Sequence, residues 1–305
     1  MKKAGTPRYD PVPIGEVARP PFARPPDPLS LFRSRAQRFV ALAARHELAE
    51  YLRFLAGLAE TQHRIQEELP VPDPPSEELR ARARELSLPP LPRDRFTFEP
   101  VFAETLARLL AYVTAADMPP PARVALQRLT NADIATREHM VRAVLANSLP
   151  IETLAEHVYV AAALQVHFAR LAAQLNPDRL VPIGKAGCPV CGGLPACSLV
   201  VGWRRAQATR FCACALCGTL WNYVRIKCTL CGSTKSISYQ QIEAGSGTVK
   251  AETCGTCHGY VKILHQQEDP QLEPVADDVA TLGLDLLLRE AGYRRGGVNF
   301  FLHGY

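Results

Sequence analysis

"KCTLCGSTKSISYQQIEAGSGTVKAETCGTCHGYV", residues 227–261, sets two C-x-x-C pairs on either side of a polar stretch broken by Gly245, Ser246 and Gly247. The same device stands just upstream. Cys188 and Cys191 recur as Cys228 and Cys231 at an offset of 40, and Cys214 and Cys217 recur as Cys254 and Cys257 at the same offset. Each half reads C-x2-C, 22 intervening residues, C-x2-C. An internal repeat at a fixed period is the mark of a duplicated structural unit. A C-x2-C turn lets two thiolates converge on one ion, and two such turns brought together make a tetrahedral four-sulfur site. Cys191, Cys217 and Cys231 are each followed by glycine, which suits the left-handed backbone such a knuckle needs. The repeat assigns one ion to Cys188, Cys191, Cys214 and Cys217 and another to Cys228, Cys231, Cys254 and Cys257. Spacing also leaves open a crossed arrangement, with Cys214 and Cys217 sharing an ion with Cys228 and Cys231.

All ten cysteines fall between Cys188 and Cys257. After Met1, Lys2 and Lys3 comes no apolar run of the kind that export needs, so the expected compartment is the cytoplasm, where clustered cysteines point to metal rather than disulfides. A four-sulfur shell has no open coordination position, which argues against a hydrolytic metal enzyme. Three classes are left: a scaffold for a partner-binding surface, a rubredoxin-like one-electron carrier, and a nucleic-acid-binding ribbon. Thiolate softness suits zinc and iron alike. Cys197 and Cys212 have no counterparts in the second half, where Ile237 and Glu252 stand, and read as small buried hydrophobes. Cys212 could alternatively be a substitute ligand or a redox thiol.

At 305 residues and 47% hydrophobic, the chain is long enough for two domains. Residues 1–27 are proline-rich and aperiodic and read as a mobile tail. Residues 28–180 read as a helical domain. Asp27 and Pro28 open a helix that carries Phe32, Ala36, Phe39 and Ala43, and a second helix carries Leu48, Leu52, Leu55, Leu58 and Ile65. A proline-rich linker over 70–95 holds a short charged helix after Ser76, and further helices are expected over 100–116, 121–129, 131–147 and 152–175. Val158 to Leu175 is very apolar, but Gln165, His167 and Arg170 interrupt it, so it reads as a core helix and not a membrane span. From residue 181, β-branched runs such as "CSLVV" and "WNYVRI" replace helical spacing, with one subdomain over 181–226 and a second over 227–266. Residues 267–305 return to helical spacing. Val275, Val279, Leu282 and Leu286 share one face of a single helix, with Asp277 and Asp278 in its first turn and Gly292 as its C-cap, expected to pack on the helical domain.

Residues 185–265 contain nine Lys or Arg against Glu243 and Glu252, a local net of +7, with Trp203, Trp221, Tyr223 and Tyr239 interleaved. That pattern could serve RNA or single-stranded DNA. We weigh against it that two four-thiolate sites each carry excess negative charge for basic residues to balance. Glu268, Asp269, Glu273, Asp277 and Asp278 could cover part of the same surface. His139, His157 and His167 lack ligand spacing and read as packed or capped. His258 adjoins Cys257 and is a possible competing ligand. No Gly-rich phosphate loop, nucleophile elbow or H-E-x-x-H motif is present.

Four stretches carry a family resemblance: "GCPVCGGLPACSLV" at 187–200, "LCGTLWNYVRIKCTLCG" at 216–232, "VKAETCGTCHGYVKIL" at 249–264, and "QEDPQLEPVADDVATLGLDLLLREAGY" at 267–293 followed by "GGVNFF". The sequence resembles the formate dehydrogenase accessory proteins of the FdhE type. The resemblance implies a multidomain α+β protein: a helical N-terminal domain, two tandem rubredoxin-like, zinc-ribbon-like subdomains and a C-terminal helix. It implies a non-catalytic cytoplasmic factor needed for active respiratory formate dehydrogenase. Together with the closed sulfur sites it makes that enzyme's catalytic subunit the expected partner, with no membrane partner expected and nucleic acid disfavoured by the charge balance above. The family's metal-binding cysteines match the eight repeat cysteines, and iron is the metal it suggests. His258 beside a ligand and the extra thiols Cys197 and Cys212 are the departures.

Overall fold

Asp27 accepts a hydrogen bond from the Leu29 amide at 3.2 Å and Pro28 occupies the first turn, so the chain enters helix α1 (Pro28–Ala43) at the boundary its sequence marks. The structure, a computed structural model, describes residues 20–114, 117–184, 186–243 and 245–302. Ahead of α1 comes a two-residue strand, β1 (Ala23–Arg24). It pairs antiparallel with Trp221 and Leu220, which corrects the tail reading for this part of the segment. Residues 1–19 of that expected tail lie outside the described residues.

The apolar stripe of α1 packs on α2 (Ala49–Glu68), burying Phe32 and Phe39 against a partner stripe that includes Leu52, Leu55, Leu58 and Ile65. The charged helix α3 (Glu77–Glu85) buries nothing. It is followed by α4 (Pro100–Val113), α5 (Pro120–Asn131), α6 (Ile134–Ala146) and α7 (Leu154–Ala172). Helix α7 is buried nearly all round because α2, α4, α5 and α6 all pack on it, the environment an evenly apolar helix requires. Among the described residues no helix is long and apolar enough to cross a membrane.

The remaining elements are β2 (Pro195–Val201), β3 (Thr209–Cys214), β4 (Leu220–Asn222), β5 (Ile237–Gln240), β6 (Val249–Cys254), β7 (Gly259–Leu264), α8 (Pro274–Ala280), α9 (Leu282–Glu290) and β8 (Arg294–Arg295). The strands form one sheet in the order β1-β4-β3-β2-β7-β6-β5, with β8 beside β7. The halves of the repeat are therefore not separate beads. They meet where β2 runs parallel to β7, with Ser198 opposite Ile263 and Leu199 opposite Leu264. Of the run "WNYVRI", only Trp221 and Asn222 are in a strand, and Val224 to Ile226 are exposed.

The expected C-terminal helix is two helices. Lys262 Nζ donates to the carbonyls of Asp278 (2.8 Å) and Thr281 (3.0 Å), and the Thr281 hydroxyl donates to the Asp277 carbonyl at 2.7 Å. Lys262 thus holds the Asp278 and Thr281 carbonyls, which a continuous helix would offer to the amides four residues on, while the Asp277 carbonyl still accepts from the Thr281 amide at 3.1 Å; the helix is interrupted at Thr281. Past the break the buried face shifts to Leu284 and Leu288, leaving Leu286 half-buried. The segment does pack on the helical domain. Arg38 of α1 forks onto Asp277 (2.7–3.1 Å), and Arg35 donates to Glu273 at 3.0 Å.

Candidate metal centres

Each knuckle is the same local turn. The amide four residues on donates to the first cysteine's carbonyl: Gly192 to Cys188 (2.8 Å), Gly218 to Cys214 (3.1 Å), Gly232 to Cys228 (3.0 Å) and His258 to Cys254 (2.9 Å). That position has positive φ in all four, +76°, +72°, +78° and +52°. Three are glycine, which adopts it freely, and the fourth is His258. The histidine read as a possible ligand therefore stands in the turn, its ring 6.4 Å from that of Tyr293 and outside the sulfur groups.

The turns bring the sulfurs together in two groups, Cys188, Cys191, Cys214 and Cys217, and Cys228, Cys231, Cys254 and Cys257. Within the first, Cys188 lies 3.5 Å from Cys217 and Cys191 3.4 Å from Cys214; in the second the matching separations are 3.9 and 3.7 Å. A tetrahedron with metal–sulfur bonds of about 2.3 Å has edges of about 3.8 Å, so either group could hold an ion. Cys214 and Cys217 converge with Cys188 and Cys191 and not, as the crossed arrangement would have it, with Cys228 and Cys231. Cys197 and Cys212 are buried outside both groups. Burial pushes the Cys212 thiol up to about 11, so it is poorly suited to redox exchange at neutral pH.

The two groups differ in surroundings. All four cysteines of the first are buried in the core of the helical domain. Gln165 of α7 donates to the Ala215 carbonyl at 2.8 Å, the amides of Leu91 and Arg93 donate to the carbonyls of Val190 and Cys191, and Gly218 lies against Leu31 and Pro26. In the second group Cys231 and Cys257 are only half-buried. Cys254 is pulled down to about 7: burial raises it, but amides of Cys257 and Thr256 and the Cys231 thiol together outweigh that. The helical-domain histidines divide. His167 is packed among Phe96, Phe102 and Phe168, and His157 sits 2.5 Å from the Thr153 carbonyl, whereas His139 is exposed.

Arg210 and Lys262, counted in the basic excess, and Glu252, counted against it, are all buried. Arg210 is held by the Ser198 hydroxyl and Glu252. Lys262 sits between Asp278 (3.3 Å) and Asp285 (2.5 Å), and Arg295 pairs with the same two carboxylates. Of the acidic residues weighed as cover, Asp278 meets this group while Glu273 and Asp277 face α1. The signal available was position: Arg210 and Glu252 sit in strands that the C-x-x-C spacing brackets, and Lys262 in the β-branched run just after the last pair.

Comparison with known proteins finds matches along almost the whole described chain. Family models described as FdhE, N-terminal, FdhE, central domain, and FdhE, C-terminal domain match residues 20–185, 187–225 and 226–302. A protein FdhE homolog of Rhizobium meliloti (strain 1021) is 45% identical over 298 residues, 97% of each chain, and one of Enterobacter sp. (strain 638) is 34% identical over 90% of this chain and 88% of that protein. The crystal structure of the FdhE protein from Pseudomonas aeruginosa superposes with a TM-score of 0.82 at 31% identity, covering 93% of this chain and 99% of that one. With helices, mixed sheet and both four-cysteine groups inside the matched region, the chain belongs to the FdhE family.

Proposed function

We propose that this protein is a non-catalytic accessory factor in the maturation of formate dehydrogenase, acting in the cytoplasm by binding the enzyme's catalytic subunit. The observation that carries the reading is membership of the FdhE family along the whole described chain. Further support comes from the closed character of the sulfur groups: four thiolates each leave no position for a substrate. Cys188, Cys191, Cys214 and Cys217 hold one metal ion and Cys228, Cys231, Cys254 and Cys257 a second. Iron is the ion the family resemblance favours, with zinc the other that four thiolates suit. Bound ions supply cross-links that fix the knuckles and the surface they carry.

Deleting the gene tests this reading: formate oxidation should fall while the enzyme's polypeptide is still made, and the catalytic subunit should co-purify with a tagged copy. Unchanged formate oxidation in the deletion strain overturns it. Visible absorbance tests the ion, since a ferric tetrathiolate is coloured and zinc is silent.

A further inference from the structure

Between α3 and the segment that follows α7 lies an open cleft of about 460 Å³, within the range of small-ligand sites and separate from both sulfur groups. Its floor is apolar, with Leu175, Leu180, Val181 and Pro189 among the lining residues. Its rim is basic. Arg80, Arg84 and Arg179 all line it and all turn to one carboxylate, Glu77, at 3.0, 4.0 and 3.1 Å. One negative charge cannot neutralise three guanidinium groups, so two positive charges remain at the mouth. Arg80 Nε is in addition buried with no hydrogen-bond partner among the described residues, a donor left unpaired at cost. Helix α3 buries no residue of its own, so packing does not explain why it stands over this floor.

A guanidinium cluster above an apolar floor matches one chemistry. Planar forks bind carboxylate or phosphate oxygens in pairs, and the floor takes up an apolar body. We propose that this cleft is a binding site for an amphipathic anion, a carboxylate- or phosphate-bearing ligand whose apolar part lies on Leu175, Leu180 and Pro189. The anionic head displaces Glu77 from part of the arginine cluster and satisfies Arg80 Nε. The site is independent of the role proposed for the sulfur groups, and its failure would leave that role untouched.

Calorimetric titration of the full-length protein with octyl phosphate, octanoate and inorganic phosphate tests it. One saturable site is expected for octyl phosphate or octanoate, and whichever binds more tightly identifies the head group. Inorganic phosphate should bind at least tenfold more weakly than octyl phosphate, because it cannot use the floor. Arg84→Glu and Arg179→Glu should each weaken the tighter ligand tenfold or more. Arg82→Glu is the control: it makes the same charge change on the same helix, at an exposed residue outside the cleft, and should change affinity less than twofold. Failure of both octyl ligands to bind overturns the proposal. So does inorganic phosphate binding as tightly as octyl phosphate, or an Arg82→Glu loss equal to that of Arg84→Glu, which would mark a diffuse charge effect.

Discussion

Arg210 of β3 donates to Glu252 of β6 at 2.9 Å, with both side chains withdrawn from solvent, so a single ion pair ties the first half of the repeat to the second. Removing one member leaves the other charge buried and uncompensated, which costs about 3–5 kcal/mol. Glu252→Ala is expected to lower stability by that order in denaturant unfolding. The double variant Arg210→Met/Glu252→Met should lose clearly less than the two single losses added together. Additive losses would show that the pair does not couple the halves.

The unequal burial of the sulfur groups predicts unequal metal release. A chelator should strip the half-buried group of Cys231 and Cys257 first and the fully buried group much later, giving two phases in metal analysis. Cys228→Ser should lose one of two ions with the helical domain still folded by circular dichroism. Cys188→Ser should also weaken the helical domain, whose core includes that cysteine. Structural metal in small units is worth about 10–16 kcal/mol, enough to decide whether such a unit folds.

His258 holds a left-handed backbone that costs an L-residue about 1–2 kcal/mol, partly offset by the entropy a glycine would lose there. His258→Gly should therefore retain both ions and leave stability unchanged or raised by up to about 1 kcal/mol. Loss of an ion would mean that the imidazole is a ligand. Gly218→Ala is the opposite case: a Cβ there would lie 2.8 Å from Leu31 Cδ2 and 3.1 Å from Pro26 Cβ, in a backbone at φ +72°. Thermal unfolding should show a loss of about 1–3 kcal/mol.

Burial among aromatic rings holds the His167 imidazole down to about 4. Its neutral form is favoured in the fold, so its contribution is fully present above the unfolded value near 6.5 and is lost as pH falls from there towards 4. The limit is about 3 kcal/mol. His167→Phe should flatten the fall of the unfolding midpoint between pH 6.5 and 4.5, while His139→Phe, at an exposed position, should not.

How much of this was legible follows from the range over which each feature is decided. The knuckles were readable because a C-x2-C turn is local and the repeat at 40 residues aligned the two sets. The helical stripes of α1 and α2 were readable because residues three and four apart share a face. The parallel meeting of β2 and β7 was not, since nothing in either strand names a neighbour more than 60 residues away. Lys262 and Arg210 looked like surface charge because their partners Asp278, Asp285 and Glu252 arrive from other segments. The break at Thr281 was hidden for the same reason: apolar spacing continues across it, and the lysine that holds the Asp278 and Thr281 carbonyls there comes from β7.

The seam between β2 and β7 also sets an order of events in time. Strand β2 emerges from the ribosome well before β7, and Arg38 well before Asp277, so the sheet cannot close on the helical domain while synthesis is still in its middle third. Pairings of such long sequence separation are slow to form. A chain halted after the first sulfur group would leave one edge of β2 unpaired, a surface open to wrong strand partners.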